Sequence, residues 1–287
     1  MPTRERRPFF YIVVTLICFL LVLPVITFLL NAFAFRWFYP QFIPAEWSLQ
    51  AWERLQLIPP EGERTMQNWL ALLGSSDVID ALLTSLIIGG SVTLFSVIIG
   101  LPAARALGLH KFRGKRIVEF MILAPTIVPA IAFVLGLNIN FIRWELSGSI
   151  FGVMLVHLVP VMPYVVLTLS GVFANYNPDF EDQARTLGAG PIRTFWHVTL
   201  PAIFPGIVVA ALFAFLVSWS QYLLTFLIGA GRVITLPILL FASASGGNNA
   251  VIAVMSLIFI APAILTLLVT SRYLSGESGA VGGFGRI

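Results

Sequence analysis

The sequence predicts an all-α membrane protein with six transmembrane helices, and three observations carry that prediction. The 287-residue chain is 58% hydrophobic and only 10% charged, with a mean hydropathy of +0.94; water-soluble globular domains carry about 25% charged residues. Six apolar segments are each long enough to cross about 30 Å of hydrocarbon as a helix. The loops that join them alternate in charge, as loops on opposite sides of a membrane do.

The first apolar segment, 9–33, follows a basic tail with Arg4, Arg6 and Arg7. It is too long for a cleaved signal segment and lacks a small-residue cleavage site, so a retained helix is expected. Residues 36–78 form a polar stretch containing Trp37, Trp47, Trp52 and Trp69. These tryptophans read as anchors at the membrane boundary, or as part of a partly ordered periplasmic cap that seats an external partner. Pro59-Pro60 and Glu61-Gly62 break the stretch and argue against a continuous domain.

The remaining spans are expected at 79–104, 117–138, 150–173, 203–228 and 249–271. Pro24, Pro125, Pro129, Pro160, Pro163 and Pro262 lie inside spans, where neighbouring helices must satisfy the freed backbone groups. A packed bundle follows. The chain thus divides into a tail with the first helix (1–35), an outer loop (36–78), a core (79–272) containing a polar hairpin (175–202), and a C-terminal tail (273–287).

Arg105, Lys111, Arg113, Lys115, Arg116, Arg185, Arg193, Arg272 and Arg286 fall on the same side as the N-terminal arginines. The positive-inside rule then puts both termini in the cytoplasm. The net charge of +4 is scattered over short loops. No basic stripe interleaved with aromatics appears, so nucleic acid is not an expected partner.

Catalytic chemistry finds little footing. Cys18 is the single cysteine, which excludes a disulfide within the chain and a Cys-rich metal site. His110, His157 and His197 lack metal-ligand spacing. His157 lies inside the fourth span beside Pro160; it reads as a packed or hydrogen-bonded histidine, although polar residues within membranes are often functional. Gly114-Lys115 is followed by Arg116 and lacks the upstream glycine of a phosphate-binding loop. The Gly148/Gly152 pair is a weak helix-association signal that straddles a helix start. The chain is not expected to be an enzyme.

The polar stretch Glu181–Pro201 is the informative one. Asn177 can cap a helix that begins at Pro178, and Asp179, Glu181 and Asp182 crowd its positive end. Gly188 suits a left-handed stop, so a helix over 178–187 is expected. Phe180, Ala184 and Leu187 recur at i, i+4 and i+7 as one apolar stripe. A second short helix is expected from Pro191, ending before Pro201 because the residue preceding a proline avoids the α region.

The spacing in this hairpin resembles that of the permease subunits of ATP-binding-cassette (ABC) importers. Their cytoplasmic loop reads Glu-Ala-Ala, three residues, Gly, nine residues, Ile, one residue, Leu-Pro. Asp182-Gln183-Ala184, Gly188, Val198 and Leu200-Pro201 match every gap, with Asp182, Gln183 and Val198 as departures. The resemblance runs from about Asn68 to Arg272 and implies a five-helix permease core preceded by one extra N-terminal helix. It implies that Phe180, Glu181, Asp182, Gln183, Ala184, Arg185, Leu187 and Gly188 form the coupling segment that meets an ATPase subunit. It also implies the partners: a second permease subunit that is commonly a different chain, two cytosolic ATP-binding subunits and an external solute-binding protein. ATP and Mg would sit on the ATPase subunits, with no cofactor on this chain, in a bacterial inner membrane.

Within the fifth span, SWSQYLLTF places Ser218, Ser220, Gln221 and Tyr222 among apolar residues. They are candidates for the translocation path, or for hydrogen bonding between helices. Asn138 and Asn140 are weaker candidates. SWSQYLLTF and the later ITLPILLF look similar to the spermidine/putrescine permease subfamily, which implies a polyamine or related solute. Iron, thiamine, sulfate and phosphonate importers are its neighbours. An ion-coupled secondary transporter is the rival class, and it would need an intramembrane ionisable site that the spans scarcely offer.

Overall fold

The computed structural model describes residues 6–37, 41 and 43–274. The expected tail over 273–287 therefore lies almost wholly outside the described residues. The described helices are α1 (Arg6–Ala32), α2 (Gln50–Arg54), α3 (Met66–Leu72), α4 (Asp77–Leu109), α5 (Lys115–Ile127), α6 (Ala130–Arg143) and α7 (Ile150–Ala174). They continue with α8 (Asp179–Thr186), α9 (Pro191–Thr194), α10 (Leu200–Trp219), α11 (Leu223–Gly229), α12 (Leu236–Ser245) and α13 (Asn249–Leu274). Among the described residues, five helical runs are long and apolar enough to cross a membrane, and α5 with α6 makes a sixth if that pair is one span. The all-α membrane architecture follows.

Two spans differ from the expectation. The third bends by 96° between α5 and α6. Pro129 lacks an amide hydrogen and forces Val128 into extended backbone (φ −74°, ψ 131°), so α5 stops there. The fifth span was expected unbroken over 203–228, yet α10 stops at Trp219 and α11 starts at Leu223. The break falls on the polar Ser220-Gln221-Tyr222 triplet. The apolar helix α12 was not anticipated at all.

The chain forms two compact units, Met1–Ala81 with Leu239–Ala261, and Leu82–Ile238 with Pro262–Ile287. In the first, β1 (Ala34–Arg36) pairs antiparallel with β2 (Glu46–Trp47). Trp52 stacks on Phe33 with ring centroids 5.5 Å apart, and its Nε1 donates to the Ala32 carbonyl at 2.9 Å. Ser76 Oγ donates to the Leu55 carbonyl at 3.2 Å. The stretch expected as a broken loop is a small folded cap. Trp52 packs inside it, whereas Trp47 and Trp69 are exposed.

In the second unit, α7 is the central helix. Val153, Val156, Val161, Val165, Val166, Leu169 and Phe173 on it are buried in one apolar core with residues of α4, α6, α10 and α11. Backbones come close around it: a Cβ placed on Gly108 of α4 would run into Phe173 and the Ser170 carbonyl, and one on Gly206 of α10 would run into Val172. Small residues at such crossings let helices pack without lipid between them.

Candidate coupling hairpin and polar core

The hairpin that follows α7 is built from local signals. Asn177 Oδ1 accepts from the Asp179 amide at 3.0 Å, and Asp179, Glu181 and Asp182 occupy the first turn of α8. At the other end Gly188 has φ +86°. Its amide donates to the Arg185 carbonyl at 2.9 Å, and the Ala189 amide donates to the Ala184 carbonyl at 3.0 Å. This is the paired closure of a left-handed glycine cap. The chain then turns into α9.

The second limb does not end before Pro201. One helical run covers Pro191–Trp219, with the turn Phe195–Thr199 widened to π geometry. Leu200 stays helical at φ −59°, ψ −47° despite preceding a proline. The widened turn loosens the ladder where Pro201 would otherwise clash, so the second limb of the hairpin and the span form one continuous helical run.

Glu181 is turned inward and is 4% exposed. Arg105 of α4 grips it through Nη1 to Oε1 at 2.9 Å and Nη2 to Oε2 at 2.7 Å. Thr199 Oγ1 donates to Oε1 at 2.7 Å, and Arg185 lies 3.7 Å from Oε2. Burial alone would raise the carboxyl pKa; the hydrogen bonds from Arg105 and Thr199, with the charges of Arg105 and Arg185, outweigh it and hold the group below the usual carboxylate range. The Arg105 guanidinium also stands 6.0 Å over the Phe173 ring of α7. One carboxylate thus ties α8, α4 and the widened turn together.

The expected apolar stripe is divided. Phe180 and Ala184 are half-buried, while Leu187 is 88% exposed. The outward apolar surface is made instead by Leu187, Ile192 (76% exposed) and Trp196 (59% exposed). A shallow depression lined by Gly190, Pro191, Ile192, Arg193, Trp196 and His197 lies on this face. Asp182, Gln183, Arg185 and Gly188 are exposed, and Arg185 reaches Asp182 at 3.4 Å. Of the coupling set, Glu181 therefore holds the hairpin from inside, and the others lie at or near its surface. Arg105, Thr199, Ile192 and Trp196 were missed as site residues. Arg105 was legible only as a basic residue just past the expected 79–104 span, whereas α4 runs on to Leu109.

A second polar group lies in the core. His157 of α7, 1% exposed, faces Ser218 Oγ at 3.0 Å from Nδ1 and Thr225 Oγ1 at 2.9 Å from Nε2. Thr225 Oγ1 donates its own hydrogen to the Gln221 carbonyl at 2.9 Å. It must therefore accept from Nε2–H, and in the neutral ring Nδ1 then accepts from Ser218. The imidazole bolts both sides of the α10–α11 break to α7. A cavity of about 10 Å³ adjoins it, lined in part by Ser85, Gln221 and Thr235. Thr235 Oγ1 is buried without a hydrogen-bond partner among the described residues. Ser218 is enclosed in this group, whereas Ser220 is exposed and Gln221 and Tyr222 are half-buried. Asn138 Oδ1 is likewise buried without a partner among the described residues.

Residues 96–274, more than half of the chain, match the model of the binding-protein-dependent transport system inner membrane component family. The chain belongs to that family. This permease is 28% identical over 195 residues to a protein of Salmonella typhimurium described as a 2-aminoethylphosphonate transport system permease, covering 67% of the chain and 74% of that protein. It is 29% identical over 217 residues to the molybdenum transport permease of Mycobacterium tuberculosis, covering 70% and 82%. It is also 29% identical over 185 residues to the putrescine transport permease of Escherichia coli, covering 62% and 66%. A chain of a bacterial ABC transporter that imports alginate shares its fold, with a TM-score of 0.67 over 95% of this permease and 99% of that chain at 19% identity. Arg105, the hairpin and the His157 group all lie inside the family match, so the permease is an ABC transporter membrane subunit with both polar groups in its core.

Proposed function

We propose that this permease is the translocation subunit of an importer that moves a small polar solute into the cytoplasm by alternating access. The observation that carries the reading is the hairpin: a capped helix with an exposed Leu187/Ile192/Trp196 face, clamped to α4 through Glu181 and continuous with α10. A cytosolic ATPase subunit pressing on that face would move α4 and α10 as one body. ATP and Mg would be bound and turned over there, with two such subunits, a second permease chain and an external solute-binding protein completing the assembly. Both termini would face the cytoplasm of a bacterium, with the permease in its inner membrane. Coupling then requires that the ATPase contact the hairpin differently in its two states.

The path would run past the α10–α11 break, where Ser220, Gln221 and Tyr222 offer hydroxyl and amide groups; Ser218 serves it indirectly by holding the break. For the solute we favour a polyamine, from SWSQYLLTF and ITLPILLF and the putrescine relative. A 2-aminoethylphosphonate-type solute is the second reading, favoured by relatives matched over 67% of the chain. The test is transport by the reconstituted complex with its own solute-binding protein. Uptake of spermidine or putrescine supports the first solute and uptake of 2-aminoethylphosphonate the second. ATP-independent uptake by the purified permease alone would favour an ion-coupled secondary transporter.

A further inference from the structure

The loop between α4 and α5 holds four cations in six residues, Lys111, Arg113, Lys115 and Arg116, around Phe112 and Gly114. Lys115 is spoken for: its Nζ donates to the Leu107 carbonyl and lies 4.0 Å from Glu119 Oε1. That bond folds the loop back onto the end of α4. Lys111, Arg113 and Arg116 are exposed and form no ion pair among the described residues. By contrast, Arg105 and Arg185 are each matched by carboxylates.

Depth and shape narrow what such a site would take. The exposed exterior of α4 is apolar at Leu94, Phe95, Ile98 and Ile99, and apolar exposure resumes on α5 at Ile117, Phe120 and Met121. The loop therefore sits where hydrocarbon gives way to headgroups. Phe112 and Ile117 help line an open concavity of about 550 Å³ together with Lys111, Lys115, Arg116 and Glu119, whose carboxylate lies by Lys115. Because Arg105 binds Glu181, this end of α4 lies at the hairpin's end of the unit. Orientation by basic residues accounts for the charge, but it requires no concavity with apolar walls.

We infer that the α4–α5 loop is a binding site for the headgroup of an anionic phospholipid, its phosphate held by Lys111 and Arg116 with the charge of Arg113 added from the same loop, and its first acyl carbons against Phe112 and Ile117. The inference rests on the importer reading only for naming this the cytoplasmic leaflet. Each basic residue near a membrane surface contributes roughly fivefold in affinity for anionic lipid, so removing three should cost roughly a hundredfold. The Leu187/Ile192/Trp196 face remains the separate surface for a protein partner.

The test compares the full-length permease, purified with its partner subunits, in nanodiscs of phosphatidylcholine alone or with phosphatidylglycerol. Native mass spectrometry counts retained phosphatidylglycerol, and thermal unfolding reads its stabilisation. Wild type and an Arg143→Gln control should retain the lipid and gain in Tm, while Lys111→Gln/Arg113→Gln/Arg116→Gln should lose both and keep its ATPase subunits. If the triple variant does not insert, the three single variants should give graded losses. Equal lipid retention by the variants would overturn the site, and so would equal stabilisation by inorganic phosphate in phosphatidylcholine. Loss of the ATPase subunits with lipid retention unchanged would assign the loop to protein docking instead. A wild-type preparation that never brings down an ATPase subunit would count against the importer reading and leave the lipid measurement standing.

Discussion

Arg105 near the end of α4 and Glu181 in the first turn of α8, far apart in sequence, meet through two parallel hydrogen bonds of 2.9 and 2.7 Å. Paired geometry of this kind fixes orientation as well as distance, so a swing of the hairpin must either break both bonds or carry α4 with it. Removing Arg105 leaves the buried Glu181 carboxylate with only Thr199 and the more distant Arg185; breaking a fully buried pair costs about 3–5 kcal/mol. The lower end applies because the Arg105 side chain is 33% exposed. Arg105→Ala and Glu181→Ala should each lower Tm in detergent. The double variant should be less destabilised than the sum of the two, and strict additivity would deny the clamp.

The same carboxylate sets a pH dependence. Its folded pKa lies below the usual 4.5, so its contribution is fully present above that value and is lost as pH falls toward the lowered one. Wild type should therefore lose more stability than Glu181→Gln as pH falls from about 5 to below 4. Unfolding curves for the two across that range should converge on the acid side. Parallel curves would mean that Glu181 titrates no differently when folded.

His157→Ala should be costly because it strands the buried Ser218 hydroxyl, at about 1–3 kcal/mol for an unsatisfied group, and leaves Thr225 only its bond to the Gln221 carbonyl. Ser218→Ala and Thr225→Val, which remove one hydroxyl each, should cost less. Hydrogen exchange of the Trp219–Tyr222 amides should rise in His157→Ala before exchange elsewhere in α7 does. Unchanged exchange at those amides would show that the imidazole does not hold the break.

Gly108→Val and Gly206→Val insert methyl groups where α4 and α10 lie against α7. Overpacking of this kind costs about 1–3 kcal/mol. Tm should fall in both, and a Gly90→Val control should move little because nothing lies within 4 Å of its added Cβ.

Much of this was legible in the sequence, and the reasons differ from residue to residue. The spans follow from length and hydropathy. Asn177, Pro178 and Gly188 marked α8 to within a residue at each end because capping chemistry is local. The breaks at Val128–Pro129 and Ser220–Tyr222 were less visible: prolines inside spans gave kinks but not their angles, and the polar triplet looked like path lining rather than a helix end. The continuity through Pro201 was hidden because a widened turn relieves the clash that the residue before proline normally suffers. The small folded stretch after α1 depends on Trp52 reaching back to Phe33 and Ala32, a contact that spacing does not show. Arg105–Glu181 and His157–Ser218–Thr225 were invisible for one reason: each partner lies on a different helix, and only packing against α7 brings them together. Phe180, Ala184 and Leu187 share a helical stripe by spacing, yet the first two are half-buried and Leu187 is exposed.

The central claim is that ATP-driven motion enters this permease through the outward face of the hairpin. The most direct measurement is substrate-stimulated ATP hydrolysis by the reconstituted complex carrying Gly188→Trp, compared with Trp196→Glu. Gly188 has φ +86°, so a tryptophan there should displace the tip, and a carboxylate at Trp196 should spoil the apolar face. Both should abolish stimulated hydrolysis while membrane insertion and solute-binding-protein association persist. Stimulated hydrolysis at wild-type rates in both variants would contradict the claim and move the coupling site off the hairpin.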